Sequence, residues 1–367
     1  MKKNILIMGL GKQFGGTEKY IINIIENINY NDFDVHICTN KDSLLCKNLK
    51  LANYKNIKII EIEASKKSII KNVSKIKKYI IENNIQVIHN NGVLTELMTF
   101  LAANKLNGLT KISTVHGFSS FDRMDRSRLE RFVFESLEKI MFKYSDKYIA
   151  VSDSIKEYLI RRGLDADKII VIHHGLHKSK EVIYNQKNNK EEFITIGSLG
   201  RLEVVKGYEY LVNAIKILID KKYNIKCNIA GEGLEIERLR RLVSELGIQN
   251  NINFVGFSDK INEFLQGIDI YVQPSIQESF GISILEAMNM SRPVIASNVG
   301  GIPEIIQNEK SGLLFESRNY IDLADKIEQL MLDESKRIQI AKEGRIRFVN
   351  NFTIEVFMEK LSNVYKI

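Results

Sequence analysis

The chain has 367 residues, 44% of them hydrophobic and 27% charged, with a formal net charge of +8. These are globular proportions, which exclude a disordered or collagen-like chain, and the length predicts two domains. No apolar run approaches the ~20 residues of a membrane-spanning helix; the N-terminal ILIM is too short for a signal peptide, and Cys38, Cys46 and Cys227 lack metal-ligand spacing and fit a reducing compartment.

The elements follow one another in a regular alternation. Strands are predicted at 4–9, 33–39, 57–62, 86–89, 111–115, 147–151 and 168–172, each nearly continuous in apolar character, as strands buried on both faces are. Amphipathic helical patterns lie between them, so the segment reads as βαβ units forming a parallel sheet covered by helices. The alternation stops at 173–192, a polar stretch read as a linker, and restarts with FITIGSL, IKCNIA, INFVGF, IDIYVQP, RPVIAS and GLLF. The last pattern, TIEVFMEKLSNVYKI, repeats apolar residues at helical spacing through Ile354, Phe357, Leu361 and Val364. Charge divides the two halves: residues 1–180 carry 30 Lys and Arg against 19 Asp and Glu, the remainder 23 against 26. A basic first half favours an anionic partner such as phospholipid, nucleic acid or a phosphorylated substrate.

Ligands of open parallel sheets bind at the carboxyl ends of the strands. The first such end, GLGKQFGGTEK, places Gly15 and Gly16 ahead of a helix, where they either admit an anion or only make a tight turn. Phe14 stands where a dinucleotide fingerprint has its third glycine, and strand two ends in Cys38-Thr39-Asn40 without a ribose-binding acid, which disfavours NAD. His116 leaves a strand next to Gly117 and fits equally a satisfied core histidine or a ligand contact. Arg201 and Lys206 share one loop and suit a diphosphate, the arginine as a planar fork and the lysine as a point charge, or else are simply solvated. In QPSIQESFGISILEAM a loop carries Glu278, Ser279-Phe280-Gly281 opens a helix whose first amides, at Gly281 and Ile282, suit an anion, and Glu286 follows within two turns, in reach of a ribose.

ESFGISILE resembles the E-x7-E motif of retaining GT-B glycosyltransferases of the family 4 type, as found in bacterial surface-polysaccharide synthesis. FGGTEKY, TVHG, YIAVSDSIKEYL, GRLEVVKG, the GEG turn at Gly231 and VGGIPEII with SGLLF stand in the order of that family over nearly the whole chain. The linker, His174-Gly175-Leu176-His177, and Ser291 in a position where glycine is common depart from it. The resemblance implies an α/β GT-B fold of two Rossmann-like domains whose parallel sheets face across a cleft. Residues 1–175 would bind acceptor, 176–192 would link, 193–350 would bind donor, and the helix at about 353–367 would pack back on the first domain. It implies a UDP- or GDP-sugar donor and a lipid-linked or glycan acceptor. Arg201 and Lys206 would stabilise the departing diphosphate with the amides at Ser279, Phe280, Gly281 and Ile282. Glu286 would hold the ribose, Glu278 and His116 the donor sugar, and Gly15, Gly16 and Gly231 would permit close approach. No metal or other cofactor is implied. Alternatives on the same fold are a nucleotide-sugar epimerase and a non-catalytic membrane-associated module.

Two basic segments bear on location. KKSIIKNVSKIKKYIIE (66–82) carries six lysines and a helical stripe of Ile69, Val73, Ile76 and Ile80, and FDRMDRSRLERFVF (121–134) carries four arginines among apolar residues. Either suits an anionic bilayer or a core-facing helix with a solvated basic side. The expectation is a cytoplasmic enzyme, peripheral at the inner face of the membrane. Nucleic acid is not expected, because the lysines lack interleaved aromatic residues.

Overall fold

A computed structural model describes residues 2–11, 15–63, 68–118, 127–180 and 193–367, except the side chains of 131, 134 and 135. It divides into two compact units, Met1–Gly175 with Ile354–Ile367, and Leu176–Thr353. Phe14, Lys66, Lys67, the segment 119–126 and most of the expected linker, 181–192, lie outside the described residues.

The first unit contains β1 (Lys3–Gly9), β2 (Phe33–Asn40), β3 (Ile57–Ile62), β4 (Val87–Asn91), β5 (Thr110–Val115), β6 (Lys147–Ala150) and β7 (Ile169–Val171). They form one seven-stranded sheet in the order β3-β2-β1-β4-β5-β6-β7, every pair parallel. The strands are apolar on both faces because both are covered. Ile5 and Ile7 of β1 pack with the helices Gly16–Asn27, Leu44–Ala52 and Ile354–Lys366, while Leu6 and Met8 pack with Ile69–Glu82 and Val93–Ala103. The chain reverses its winding between β1 and β4, so the loops after those strands diverge and leave a crevice at their carboxyl ends.

The last helix belongs to this unit. Ile354, Phe357, Leu361, Val364 and Tyr365 are buried in its core, and Lys3 Nζ donates to the Lys366 carbonyl at 2.8 Å. Burying the four aliphatic and aromatic side chains of the stripe is worth, at most, roughly 6–12 kcal/mol. Most of the stripe of Ile69–Glu82 is likewise spent on the core: Ile76 and Ile80 are buried and Val73 packs beside them, while Ile69 is exposed and Lys71, Lys75, Lys77 and Lys78 face outward.

The second unit contains β8 (Ile194–Leu199), β9 (Ile225–Ala230), β10 (Ile252–Gly256), β11 (Ile270–Gln273), β12 (Val294–Ser297) and β13 (Leu313–Phe315). They form a parallel sheet in the order β10-β9-β8-β11-β12-β13, with the reversal between β8 and β11. Its core joins these strands to Tyr208–Asp220, Ile236–Glu245 and Tyr320–Leu332. Part of the expected linker is anchored here: Leu176 N donates to the Phe352 carbonyl at 3.0 Å, and Ser179 Oγ to that of Asn289 at 2.8 Å. Ser291 has φ +53°, a left-handed conformation that glycine adopts without steric cost, which is why a serine there stands out.

Candidate active site

The reversal between β8 and β11 brings two loops of the second unit together. Ile276 and Gln277, after β11, donate their backbone N–H groups to the carbonyl of Val205, after β8, at 2.8 and 3.2 Å. Glycines let these loops approach, Gly207 between the loops after β8 and β11 and Gly300 where the loop after β12 meets the loop after β11. A Cβ on Gly207, at φ +65°, would lie 2.2 Å from the Pro274 oxygen, and one on Gly300, at φ +53°, would lie 1.8 Å from the Glu278 oxygen.

The zipped loops place Lys206 Nζ 2.7 Å from Glu278 Oε2, both side chains largely buried. The same carboxylate oxygen accepts from Ser275 Oγ at 3.2 Å and Gln273 Nε2 at 3.4 Å. Gln273 is fixed in turn, its Oε1 accepting from Tyr271 OH and from Ser283 Oγ at 2.9 Å. Glu278 is thus oriented by a buried polar network, and its second oxygen has no hydrogen bond among the described residues. The pattern reading gave Lys206 to the diphosphate and Glu278 to the sugar; the structure puts them on each other. A lysine held against a carboxylate beside a helix N-terminus is a fixed cation that an arriving anion can share without moving the chain.

Arg201 is mostly exposed and bridges Glu203 of its own loop at 2.7 Å, not Glu278. Ser279 and Ile282 are half-buried, and Gly281, φ +113°, precedes the helix Ile282–Asn289. The Phe280 ring is buried against Phe352, so only its backbone is at hand for a ligand. The first amides of that helix have no upstream carbonyl to bond. Glu286 is half-buried within the helix. The Tyr271 phenol is held well above its usual range, chiefly by burial, with the Glu286 charge a lesser contributor. Gly231 packs on Gly200, where a Cβ would lie 1.9 Å from the Gly200 oxygen.

The first unit's crevice is of different chemistry. Gly15 precedes the helix Gly16–Asn27, and its N–H is taken by Glu18 Oε2 at 2.9 Å, so a carboxylate already caps this helix. His116 Nε2 lies 2.9 Å from Asn91 Oδ1. Asn91 Nδ2 donates to the Met8 carbonyl at 3.2 Å, which fixes the amide, so Nε2 carries the hydrogen and donates. Nδ1 is left a buried acceptor without a partner among the described residues. Around it, His174 stacks at 5.8 Å and Tyr20 lies edge-on at 4.8 Å. His89 is bound by Tyr365 OH at 2.6 Å and Thr114 Oγ1 at 2.7 Å. Burial first, then His174 and His89, holds the His116 imidazole well below its usual range. Burial likewise holds His89 at about 3 and His174 at about 4. The cluster is neutral at physiological pH.

Asn91, Gln273 and Ser275 carry no local motif; only their position at the carboxyl ends of β4 and β11, next to a reversal, marks them. Two helix-covered parallel sheets, each reversed beside its first strand, define the class: an α/β protein of two Rossmann-like units, the architecture that the GT-B resemblance implies.

Comparison with known proteins fixes the family. Residues 14–180 match Glycosyltransferase Family 4 and residues 179–347 match Glycosyl transferases group 1. The capsular polysaccharide biosynthesis glycosyltransferase CapM of Staphylococcus aureus is 30% identical over 269 residues, 70% of this chain and 67% of that protein. The N,N'-diacetylbacillosaminyl-diphospho-undecaprenol alpha-1,3-N-acetylgalactosaminyltransferase of Campylobacter jejuni is 28% identical over 331 residues, 84% and 87% of the two chains. Among solved structures, a glycosyltransferase from Rickettsia africae superposes with TM-score 0.83 at 25% identity, over 100% of this chain and 98% of the other. Anabaena HepE, solved with UDP and glucose, shares the fold with TM-score 0.82 at 19% identity, over 99% of both chains. The chain belongs to the family 4, group 1 glycosyltransferases, and it is an enzyme of sugar transfer.

Proposed function

We propose that the enzyme moves a sugar, with retention of anomeric configuration, from a UDP- or GDP-sugar to a lipid-linked glycan in surface-polysaccharide synthesis. The observation that carries the reading is the Lys206–Glu278 couple at the β8/β11 reversal. Lys206, with the amides at the start of Ile282–Asn289, stabilises the diphosphate as the bond from the anomeric carbon to its phosphate oxygen breaks. Such preorganised charge is worth about 10²–10³ in rate. The acceptor oxygen then bonds that carbon on the same face, and its proton passes to the departing phosphate oxygen. Glu286 holds the ribose, Glu278 offers its remaining oxygen to the sugar hydroxyls, and His116 Nδ1, in the first unit's crevice, accepts from a substrate hydroxyl. Arg201 leaves Glu203 for the diphosphate when donor arrives. This chain's own cations do the charge work, and no metal takes part.

The relatives support donor and acceptor class: HepE was solved with UDP, and the Campylobacter protein is named for a diphospho-undecaprenol substrate. CapM supports a capsule-type product. The place of action is the inner face of the cell membrane, where such acceptors are built. The test is transfer itself. Purified enzyme, given a panel of UDP- and GDP-sugars with undecaprenyl-diphosphate glycans, should release nucleoside diphosphate in step with an extended lipid. NMR of the product should show the donor's anomeric configuration. An inverted product would overturn retention, and failure of every donor would overturn the reading.

A further inference from the structure

Gln273, the last residue of β11, joins two parts of the second unit's crevice. Side chains alternate along a strand, so Tyr271 and Gln273 share one face. Both are buried, Gln273 at 1% exposure. The amide oxygen accepts from two hydroxyls, Tyr271 OH on its own strand and Ser283 Oγ at 2.9 Å. Ser283 is the second residue of the helix Ile282–Asn289, within the first turn whose amides lack upstream carbonyls. The amide nitrogen directs its hydrogens the other way, to Ser275 Oγ at 2.9 Å and Glu278 Oε2 at 3.4 Å. The reverse placement of the amide would set its oxygen against the Glu278 carboxylate, so charge fixes the orientation.

Every hydrogen-bonding position of the Gln273 amide is therefore in use. Ser275 repeats the link, accepting from Gln273 and donating to Glu278 Oε2 at 3.2 Å. Lys206 holds the same oxygen, but an ammonium is a point charge on a flexible stem and sets no direction. The planar amide, clamped on one side by the strand and the helix, supplies that direction.

We propose that Gln273 is a positioning residue: its amide holds Glu278 in register with the start of the helix Ile282–Asn289. It thereby sets the distance between the donor's diphosphate and the sugar hydroxyl that Glu278 accepts. The inference rests on the donor-site reading above and assigns how that site measures its sugar. A sugar whose hydroxyl stands elsewhere meets no acceptor, so Gln273 contributes to the choice among donors. The amide itself has no position left for the donor.

The test compares transfer with nucleotide binding in the full chain, using whichever UDP- or GDP-sugar the wild type accepts. Gln273→Leu keeps a side chain of similar size and removes all four hydrogen bonds. It should lower kcat about tenfold, the worth of a hydrogen bond to a charged group, with the matching UDP or GDP binding within about twofold of wild type. Ser283→Ala removes one link and should cost less, and it should add nothing in the Gln273→Leu background. Among donors that differ at one sugar hydroxyl, Gln273→Leu should discriminate less than wild type.

Gln273→Glu supplies a pH readout. The introduced carboxyl still accepts from Tyr271 and Ser283; ionised it faces Glu278 with a bare oxygen, and protonated it donates there as the amide does. Its kcat should approach wild type near about pH 5.5 and fall short about fivefold near about pH 8.5. Lys206, Glu278, Glu286 and the Tyr271 and Tyr208 phenols surround the site; burial holds both phenols above their usual range, so they stay protonated over that span. Wild-type kcat in Gln273→Leu, nucleotide affinity lost in parallel with kcat, additive losses in the double variant, or a Gln273→Glu ratio without pH dependence would each overturn the inference. Where Gln273→Leu does not fold, the Gln273→Glu profile decides alone. A wild type without transfer would strike the proposed function and this inference with it; wild-type transfer with indifferent variants strikes the inference alone.

Discussion

Both sheets reverse their winding next to their first strand, and both place side chains in the crevice that results, yet the two crevices are built of opposite chemistry. The second unit's is ionic, a lysine locked on a glutamate by loops that only glycine lets meet. The first unit's is a stack of neutral imidazoles and amides, with a phenol from the chain's last helix at its back. Charge suits a departing diphosphate, and a neutral acceptor such as His116 Nδ1 suits a hydroxyl. The same topology therefore yields one crevice for charge and one for hydrogen bonding, and which is which is decided by a few residues at strand ends.

The comparison breaks most sharply at Lys206. Lys206→Ala should lower turnover ~10²–10³-fold with the fold intact, because it removes the preformed cation and leaves Glu278 unopposed. Circular dichroism and steady-state kinetics on the native donor check it; turnover near wild type would remove the charge from its assigned role.

Acid should distinguish the units next. His36, His89 and His174 are held by burial at about 4, 3 and 4, and His116 well below its ordinary 6.5. Below pH 6.5 the unfolded chain takes up these protons first, so stability falls as pH falls, by about 1.4 kcal/mol per pH unit for each histidine. Buried Glu96, raised to about 7 chiefly by burial, has the opposite sign: it protonates first when folded and offsets one histidine from pH 7 down to 4.5. All these groups lie in the first unit. Hydrogen exchange at pH 7 and 5.5 should show opening there to become easier, with the second unit nearly unchanged. Equal loss in both units would contradict the contrast.

A smaller effect is expected at His116. His116→Phe keeps a ring against Tyr20 but removes the Nδ1 acceptor, and should lower kcat/KM by about tenfold, the worth of one neutral hydrogen bond. Unchanged kinetics would make the histidine purely structural. No effect at all is expected from chelation: EDTA should leave transfer intact, and loss restored by magnesium or manganese would show that Lys206 does not suffice for the diphosphate.

Much of this was legible in the residues. The thirteen expected strands fall within a residue or two of β1–β13, because strands buried on both faces need continuous apolar runs. The stripe at Ile354, Phe357, Leu361 and Val364 marked a helix that had to bury one side. What was not legible is tertiary. Ile69–Glu82 and Arg128–Met141 carry similar basic amphipathic patterns, yet most of one stripe is core and the other is surface, which only their neighbours decide. The Lys206–Glu278 contact joins residues 72 apart, and Asn91 earns its place by holding an imidazole, through an amide that local pattern does not distinguish from any other.

The central claim, that the second unit's reversal holds the donor's diphosphate, is tested most directly by titration calorimetry of UDP and GDP into wild type and Lys206→Ala. Wild type should bind one of them with unit stoichiometry, and Lys206→Ala should bind it at least tenfold more weakly. Binding of equal strength in both proteins, or of neither nucleotide to the wild type, would contradict it.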